Sequence, residues 1–268
     1  MRMHKGLYSA ILTAAGITLA AAPLASQAAD SLSSGSTASA PAISTIVQSN
    51  NELGLGLLGA YSNFKQSDGE LSLNGWMPGG AAYVKAMRNL GGIQHWYFSL
   101  HDQYSQGTTH QSGGASDSGY EHQNEAYLRL GKGFALAPQT MLTPYIQYGY
   151  QYQNRNLGGG EHFSLRNQLA GVGLLAQYAY TPRLVLSANV NVDGTINPEL
   201  DAHNVDTSSH TRLGTRAIEQ VSLGADYRLS GHFHTFAKVG YGHRDYGQSG
   251  PDLHQNNAYA ETGVAYSW

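Results

Sequence analysis

The chain has 268 residues, no cysteine and a formal net charge of −3 at pH 7. It can therefore form no disulfide framework, thiolate metal site or thiol nucleophile, and its slightly acidic balance gives no support for nucleic-acid binding. Only 12% of its residues are charged, about half the share in a soluble domain. Glycine (33 residues) and tyrosine (18 residues) are abundant instead, which favours strands that face lipid on one side and a polar interior on the other.

The first 28 residues have the organisation of a secretory signal peptide. Arg2 and Lys5 form a basic start, residues 7–24 are mostly apolar, and residues 26–28 (Ser-Gln-Ala) form a small-x-small cleavage site. Polar residues, glycine and proline interrupt the apolar run, and this disfavours a transmembrane anchor. We therefore expect residues 1–28 to be removed on export, which leaves 13 basic and 18 acidic residues.

Residues 29–51 are rich in Ser, Ala and Thr without periodicity, so a flexible periplasmic segment is predicted. From residue 52 to 268, apolar and polar residues alternate. Alternation with period two predicts two-faced β-strands, and their length suits transmembrane strands of about 9–11 residues. Ten strands are predicted, near residues 52–64, 75–87, 93–104, 120–134, 141–154, 164–180, 183–193, 217–229, 232–244 and 258–268.

Short and long connections alternate between these strands. Tight turns are predicted at residues 91–92, 137–140, 181–182 and 230–231, where Gly, Pro, Ser and Thr gather. Long polar loops are predicted near residues 65–74, 105–119, 155–163, 194–216 and 245–254. Transmembrane barrels have this asymmetry, with short periplasmic turns and longer extracellular loops. With an even strand number, both termini are expected in the periplasm.

The fold class predicted is all-β: a transmembrane antiparallel up-and-down β-barrel of about ten strands, with eight or twelve as alternatives. The run Leu142–Tyr150 has the pattern L-x-P-Y-x-x-x-G-Y and resembles a strand common in proteobacterial outer-membrane β-barrel proteins. Residues 258–268 are similar to the terminal aromatic strand of that superfamily. The resemblance implies a bacterial outer-membrane location and implies that the barrel-assembly machinery reads Val264, Tyr266 and Trp268.

Nine charged residues are predicted to face the lumen. One interpretation is a selectivity filter or a path for small solutes, and the other is that opposite charges pair and hold the register of a narrow barrel. Ten strands leave little free bore, which favours pairing, and Glu261 is expected to pair with Lys238 or Arg244 on the preceding strand. The nine residues are Lys85, Glu125, Arg129, Asp193, Asp226, Arg228, Lys238, Arg244 and Glu261.

Histidines are the candidate metal ligands, because neutral imidazole commonly binds metals. No His-x-His or His-x3-His cluster falls on a predicted long loop, so we expect solvated histidines and assign neither a metal site nor a cofactor. Eight of them are predicted near the outer rim: His101, His110, His122, His162, His203, His210, His243 and His254.

Two spacings resemble those of barrel enzymes. Asp201-x-His203 resembles the Asp-His dyad of omptin-type outer-membrane proteases, but the chain has no Asp-x-Asp partner. His162-x-Ser164 resembles the pair of lipid A deacylases, but no acidic residue follows on that strand to orient the base. No catalytic residue is therefore assigned.

Three function classes follow. The first is a structural or surface-interaction barrel whose loops bind lipopolysaccharide or another extracellular ligand, with loop 194–216 as the main contact surface. The second is a narrow porin-like channel for small solutes. The third, an omptin-like or lipid-modifying hydrolase at the rim, has the least support.

Overall fold

The chain folds into long antiparallel strands that form one sheet closed on itself. The computed structural model describes residues 42–66, 72–112, 118–158, 161–203, 208–246 and 253–268; the predicted signal peptide and residues 29–41 lie outside them. No helix in these ranges is both long and apolar enough to cross a membrane. The elements are α1 (Ala42–Ser49), β1 (Glu52–Gln66), β2 (Ser72–Leu90), β3 (Ile93–Ser112), β4 (Ser118–Lys132), β5 (Phe134–Ala137), β6 (Thr140–Gly158), β7 (Glu161–Ala179), β8 (Leu184–His203), β9 (Ser208–Arg212), β10 (Ala217–Ser230), β11 (Phe233–Tyr246) and β12 (Leu253–Ser267).

Ten of these strands close the barrel, as the sequence predicted. Each ring strand pairs with its neighbours in chain order, and β1 pairs with both β2 and β12. The closing ladder runs without interruption from Glu52 opposite Ser267 to Gln66 opposite Leu253. A closed ring has no free edge at which another strand could add.

The other two strands continue ring strands after a break. β5 follows β4 and pairs with the same neighbour, β6. β9 pairs with β8 beyond the part of β8 that pairs with β10. The break between β9 and β10 covers residues 213–216 and includes Leu213, whose side chain turns into the lumen and is buried.

The predicted long loops were wrong over much of their length. The strands continue well past the expected boundaries: β3 extends to Ser112 and β8 to His203, and the predicted loop 194–216 is largely the β8–β9 hairpin. Polar residues led to the prediction of loops in these segments. The strands in fact continue beyond the apolar band into water, where their outward residues are polar while the backbone hydrogen bonds persist. We call the end of the barrel with these extensions the loop end and the end with the tight turns the turn end.

Outward side chains form an apolar band around the barrel. Leu53, Leu55 and Leu57 are 54–75% exposed, which suits a hydrocarbon environment and not water. Towards the loop end the band stops at Tyr61 and Trp76, which are register partners with ring centroids 5.3 Å apart. A path from residue 53 to residue 61 at about 3.4 Å per residue and a tilt of about 40° rises about 21 Å, close to the height of a transmembrane band.

Two apolar clusters pack inside the barrel, one near each end. The turn-end cluster contains Ile46, Met87, Tyr97, Met141, Tyr145, Leu175, Ala179 and Val185. The loop-end cluster contains Phe64, Leu73, Phe163, Leu165, Leu213, Tyr246 and Leu253.

Helix α1 corrects the prediction of a flexible segment over residues 29–51, since residues 42–49 are helical. Ile43, Ile46 and Val47 form an apolar stripe at helical spacing, and all three pack in or against the turn-end cluster. The side-chain amides of Asn50 and Asn51 donate to the carbonyls of Ile46 and Val47, at 2.9 and 2.6 Å, and satisfy the end of the helix. The stripe is too short to stand out in a Ser- and Ala-rich segment.

Three inward tyrosines lie flat over glycines of the neighbouring strand. A Cβ at any of these glycines would lie within 2.3–2.4 Å of the tyrosine ring, so only glycine leaves room for the ring. These pairs let large rings fit inside a narrow barrel. They are Gly54–Tyr83, Gly173–Tyr145 and Gly240–Tyr259, each a register pair.

Candidate functional site

The expected pairing of Glu261 is present in the middle of the lumen. Lys238 and Glu261 are register partners on β11 and β12, and Lys238 Nζ lies 2.6 Å from Glu261 Oε2. His101 Nε2 lies 3.4 Å from the same carboxylate, and its ring stacks on Tyr127 at 4.9 Å. The fully buried carboxylate thus has a charged partner, as burial requires.

A second buried carboxylate, Glu125, is held from several strands. Arg244 of β11 forms an ion pair with it. Gln220 of β10 and Gln103 of β3 donate to its two oxygens at 3.0 and 3.3 Å. The contacts of Arg244 and Gln220 cross the lumen and tie distant parts of the ring together.

Arg129 and Asp193 are joined indirectly. Arg129 Nε donates to Gln147 Oε1 at 2.7 Å, and Gln147 Nε2 donates to Asp193 Oδ2 at 2.9 Å. The guanidinium also lies 4.6 and 4.8 Å from the ring centroids of Tyr127 and Tyr145, within cation–π range.

The remaining predicted lumen charges gather towards the turn end. Lys85 Nζ lies 2.6 Å from the carboxylate of Glu52, which was not among the lumen charges predicted from the sequence. Asp226 contacts His234 at 2.7 Å. Arg228 donates to Gln48, just before the end of α1, at 2.8 Å.

Sequence reasoning also missed a fully buried ion pair between Glu121 and Arg155. Arg155 was placed in an outer loop, yet it lies on β6 as the register partner of Glu121 on β4. Its guanidinium lies 5.2 and 5.3 Å from the rings of Phe64 and Phe163, inside the loop-end cluster. The alternation of β6 continues unbroken to residue 155, and this was the available signal.

The described part of the lumen contains at least two cavities, and the larger one reaches the turn-end cluster. One cavity of about 130 Å³ is lined by Asn50, Lys85, His101, Arg129 and Lys238, among others. A second, of about 30 Å³, adjoins Glu125 and Arg244. Polar cavities of this size hold a few water molecules.

The predicted rim histidines divide into two groups. His101 was wrongly expected near the rim: it lies in the lumen, because β3 continues to Ser112 and leaves residue 101 near the middle of the strand. His162 and His203, register partners on β7 and β8, stack at 4.6 Å near the loop end. The aligned registers of neighbouring strands bring histidines together that are far apart in the sequence.

The dyad expected at Asp201-x-His203 has a different partner. Asp201 contacts His210, its register partner on β9, at 2.5 Å, and Arg166 at 3.4 Å. The hydrogen bond from His210 lowers the pKa of the Asp201 carboxyl from its ordinary value of 3.8. The side chains of Arg166 and His210 are half exposed, so this is a surface network.

The closed ring of ten antiparallel strands, with an apolar outer band and a polar lumen, defines the class: a transmembrane-type β-barrel. In fold it is similar to the outer-membrane protease OmpT from Escherichia coli, with a TM-score of 0.57 and 11% identity over 81% of this chain and 95% of that one. The transport unit of the autotransporter AIDA-I from Escherichia coli gives a TM-score of 0.47 and 10% identity over 85% and 97%. No family model matches the sequence, and no curated protein shows significant similarity to it.

Proposed function

We propose that this protein is an integral outer-membrane barrel with a sealed lumen, which acts through the surface at its loop end. The observation that carries the proposal is the packing of an apolar cluster inside the lumen near each end. The polar layer between them contains paired charges, which favours a structural role for the lumen over conduction.

Helix α1 supports the seal because it is held from several sides of the ring. Asn50 binds Gln177 on β7 at 2.7 Å, Asn51 binds the backbone of Met87 on β2, and Gln48 binds Arg228 on β10. These strands are spread around the barrel, so the helix segment lies across the turn-end mouth.

The membrane placement rests on the outer band. Exposed leucines of β1 lead to the Tyr61–Trp76 pair, and aromatic residues at this level fit an interfacial girdle. Beyond it the outward residues of β1 and β2 become polar, with Asn63, Lys65 and Asn74 in the next positions. We infer that the turn end faces the periplasm and the loop end faces the outside.

The contact surface in this proposal is the β8–β9 hairpin with the neighbouring strand extensions. It replaces the irregular loop 194–216 of the sequence prediction with a rigid two-stranded edge. Lipopolysaccharide, another outer-membrane lipid or an extracellular ligand is the proposed partner class.

A rim hydrolase has less support. OmpT is a protease, but its likeness to this chain extends to the fold alone. Asp201 is engaged by His210 and Arg166 at the surface, and within the described ranges no second acidic residue contacts this network.

The deciding experiment is the conductance of the refolded chain, residues 29–268, in planar bilayers. We expect no stable single-channel steps, and we expect a variant lacking residues 42–49 to show more frequent openings because the turn-end mouth is uncovered. Steady wild-type conductance would exclude a sealed lumen.

The surface role is tested separately by removing the β8–β9 tip, residues 198–212. Loss of binding to cells or lipopolysaccharide is expected, with retained heat-modifiable gel mobility. Removal of the β3–β4 tip, residues 109–119, is the matched control. If both variants bind like the wild type, the β8–β9 hairpin is not the contact surface.

A further inference from the structure

Three side chains able to bind metal meet on the outer face of β11 and β12 near the loop end. His243 and Asp245 are two residues apart on β11, and His254 on β12 is the register partner of Asp245. The alternate residues Arg244 and Tyr246 are buried inside, so the first three face outward. The sequence does not reveal this group, because its ligands come from two strands that six residues separate.

The ligand atoms already converge. His254 Nδ1 lies 2.6 Å and His243 Nε2 lies 3.2 Å from Asp245 Oδ1, and all three ligand atoms lie within 4.8 Å of one another. In a tetrahedral zinc site with bonds of about 2.0–2.1 Å, neighbouring ligand atoms lie about 3.3 Å apart. Sub-ångström movements of exposed side chains would therefore admit the ion.

The hydrogen bonding of His243 prepares it as a ligand. Its Nδ1 lies 2.8 Å from Asn256 Oδ1, an acceptor to which a protonated Nδ1 donates. In that tautomer Nε2 keeps its lone pair for a metal ion. An outer-shell acceptor that fixes the ring and its tautomer is a regular feature of metal-binding histidines, and Tyr241 holds this acceptor with a hydrogen bond of 2.6 Å.

We propose that His243, Asp245 and His254 form a binding site for a divalent transition-metal ion, with Zn²⁺ as the best match. Two imidazoles and one carboxylate suit zinc, nickel or copper, whereas calcium and magnesium prefer oxygen ligands alone. The three side chains are 37–41% exposed, so a fourth position stays open to water. The site goes beyond the proposed function and does not rest on it.

Charged residues on the two flanking strands change the affinity of the site for a cation in opposite directions. Glu219 of β10 is the register partner of His243, and Lys65 of β1 is the register partner of His254. Both are exposed on the same outer face. Since like charges repel and opposite charges attract, Glu219→Gln should weaken zinc binding and Lys65→Gln should strengthen it.

The test is a zinc titration of the refolded chain in detergent micelles against a chromophoric chelator, without an affinity tag. We expect one zinc per chain. His254→Ala should abolish this binding, and Asn256→Ala should weaken it by about 10–100-fold, as loss of an outer-shell partner does. Substitution with Co²⁺ should give the visible absorption of a bound imidazole–carboxylate site, and this absorption should be absent in His254→Ala.

His210→Ala is the matched control, because it removes an exposed histidine that also pairs with an aspartate but belongs to no convergent group of three ligands among the described residues. It should bind zinc like the wild type. Heat-modifiable gel mobility confirms that every variant folds. Equal zinc binding by the wild type and His254→Ala, or no stoichiometric binding by the wild type, would overturn the proposal.

Discussion

Lys238 and Glu261 face each other across β11 and β12, one strand from the ladder that closes the barrel, with their charged atoms 2.6 Å apart. Glu261 is buried on the strand whose other edge pairs with β1. The ion pair therefore fixes β12 in register on one side while the closing ladder fixes it on the other.

Replacement of Lys238 by Met should destabilise the barrel by about 3 kcal/mol, because it leaves the Glu261 carboxylate buried without its charged partner. Unfolding by guanidinium in detergent micelles measures this change. Adding Glu261→Leu should recover most of the stability, since an apolar pair replaces the ion pair. Lys65→Met, at an exposed lysine, should have little effect, and an equal loss there would show that the pair is not responsible.

Gly240→Ala should cost about 1–3 kcal/mol, because the new methyl group meets the ring of Tyr259 at 2.4 Å. The matched control is Gly59→Ala, where a Cβ has no neighbour within 4 Å, and its stability should change little. Combining Gly240→Ala with Tyr259→Ala should be less costly than the sum of the two single changes. Strict additivity would show that the ring and the methyl group do not compete. The same guanidinium unfolding assay reports all four values.

The contact between β8 and β9 should depend on pH through Asp201. Its pKa is lowered in the fold, so its stabilising effect is fully present above pH 3.8 and is lost as the pH falls through the lowered value. Hydrogen exchange of the amides in residues 208–212 should therefore quicken, relative to the intrinsic rate, only in strong acid. In Asp201→Asn the exchange should already be fast at neutral pH. A wild-type loss of protection centred above pH 5 would contradict this origin.

Recognition by the assembly machinery stays a prediction for Val264, Tyr266 and Trp268, whose side chains are 47–61% exposed on the outer face. Trp268→Ser should lower the amount of folded barrel in cells more than it lowers refolding yield in detergent. Leu55→Ser removes an outward apolar side chain from the neighbouring strand and is the control. Equal losses in cells for both variants would indicate a general need for lipid contact.

The alternation of apolar and polar side chains predicted the fold, because the same two-residue period assigns every strand residue to either the outer or the inner face. Residues such as Tyr145 and Ile146 could therefore be assigned to lumen and lipid before their neighbours were known, and the structure agrees for this pair. Strand ends were harder to predict. The change from apolar to polar residues shows where a strand leaves the apolar band, but it does not show where the backbone hydrogen bonds between strands end. Arg155 and His101 were misplaced for this reason.

The contents of the lumen and the outer metal-ligating cluster depend on register between strands. Glu52 was overlooked at a strand start, although it is buried against Lys85. Asp245 and His254 are neighbours only because β11 and β12 pair as they do. A single sequence shows which face a residue takes but not which partner stands beside it.

The two apolar clusters also divide the lumen along the barrel axis into apolar layers and a polar layer between them. Lys238, Glu261 and His101 lie beside a small polar cavity between two layers of packed apolar side chains. In the sealed lumen that we propose, a proton or water molecule would reach them only when one of these layers opens. The charge state of the lumen would then follow changes in the surrounding solution on the timescale of barrel breathing and not of diffusion.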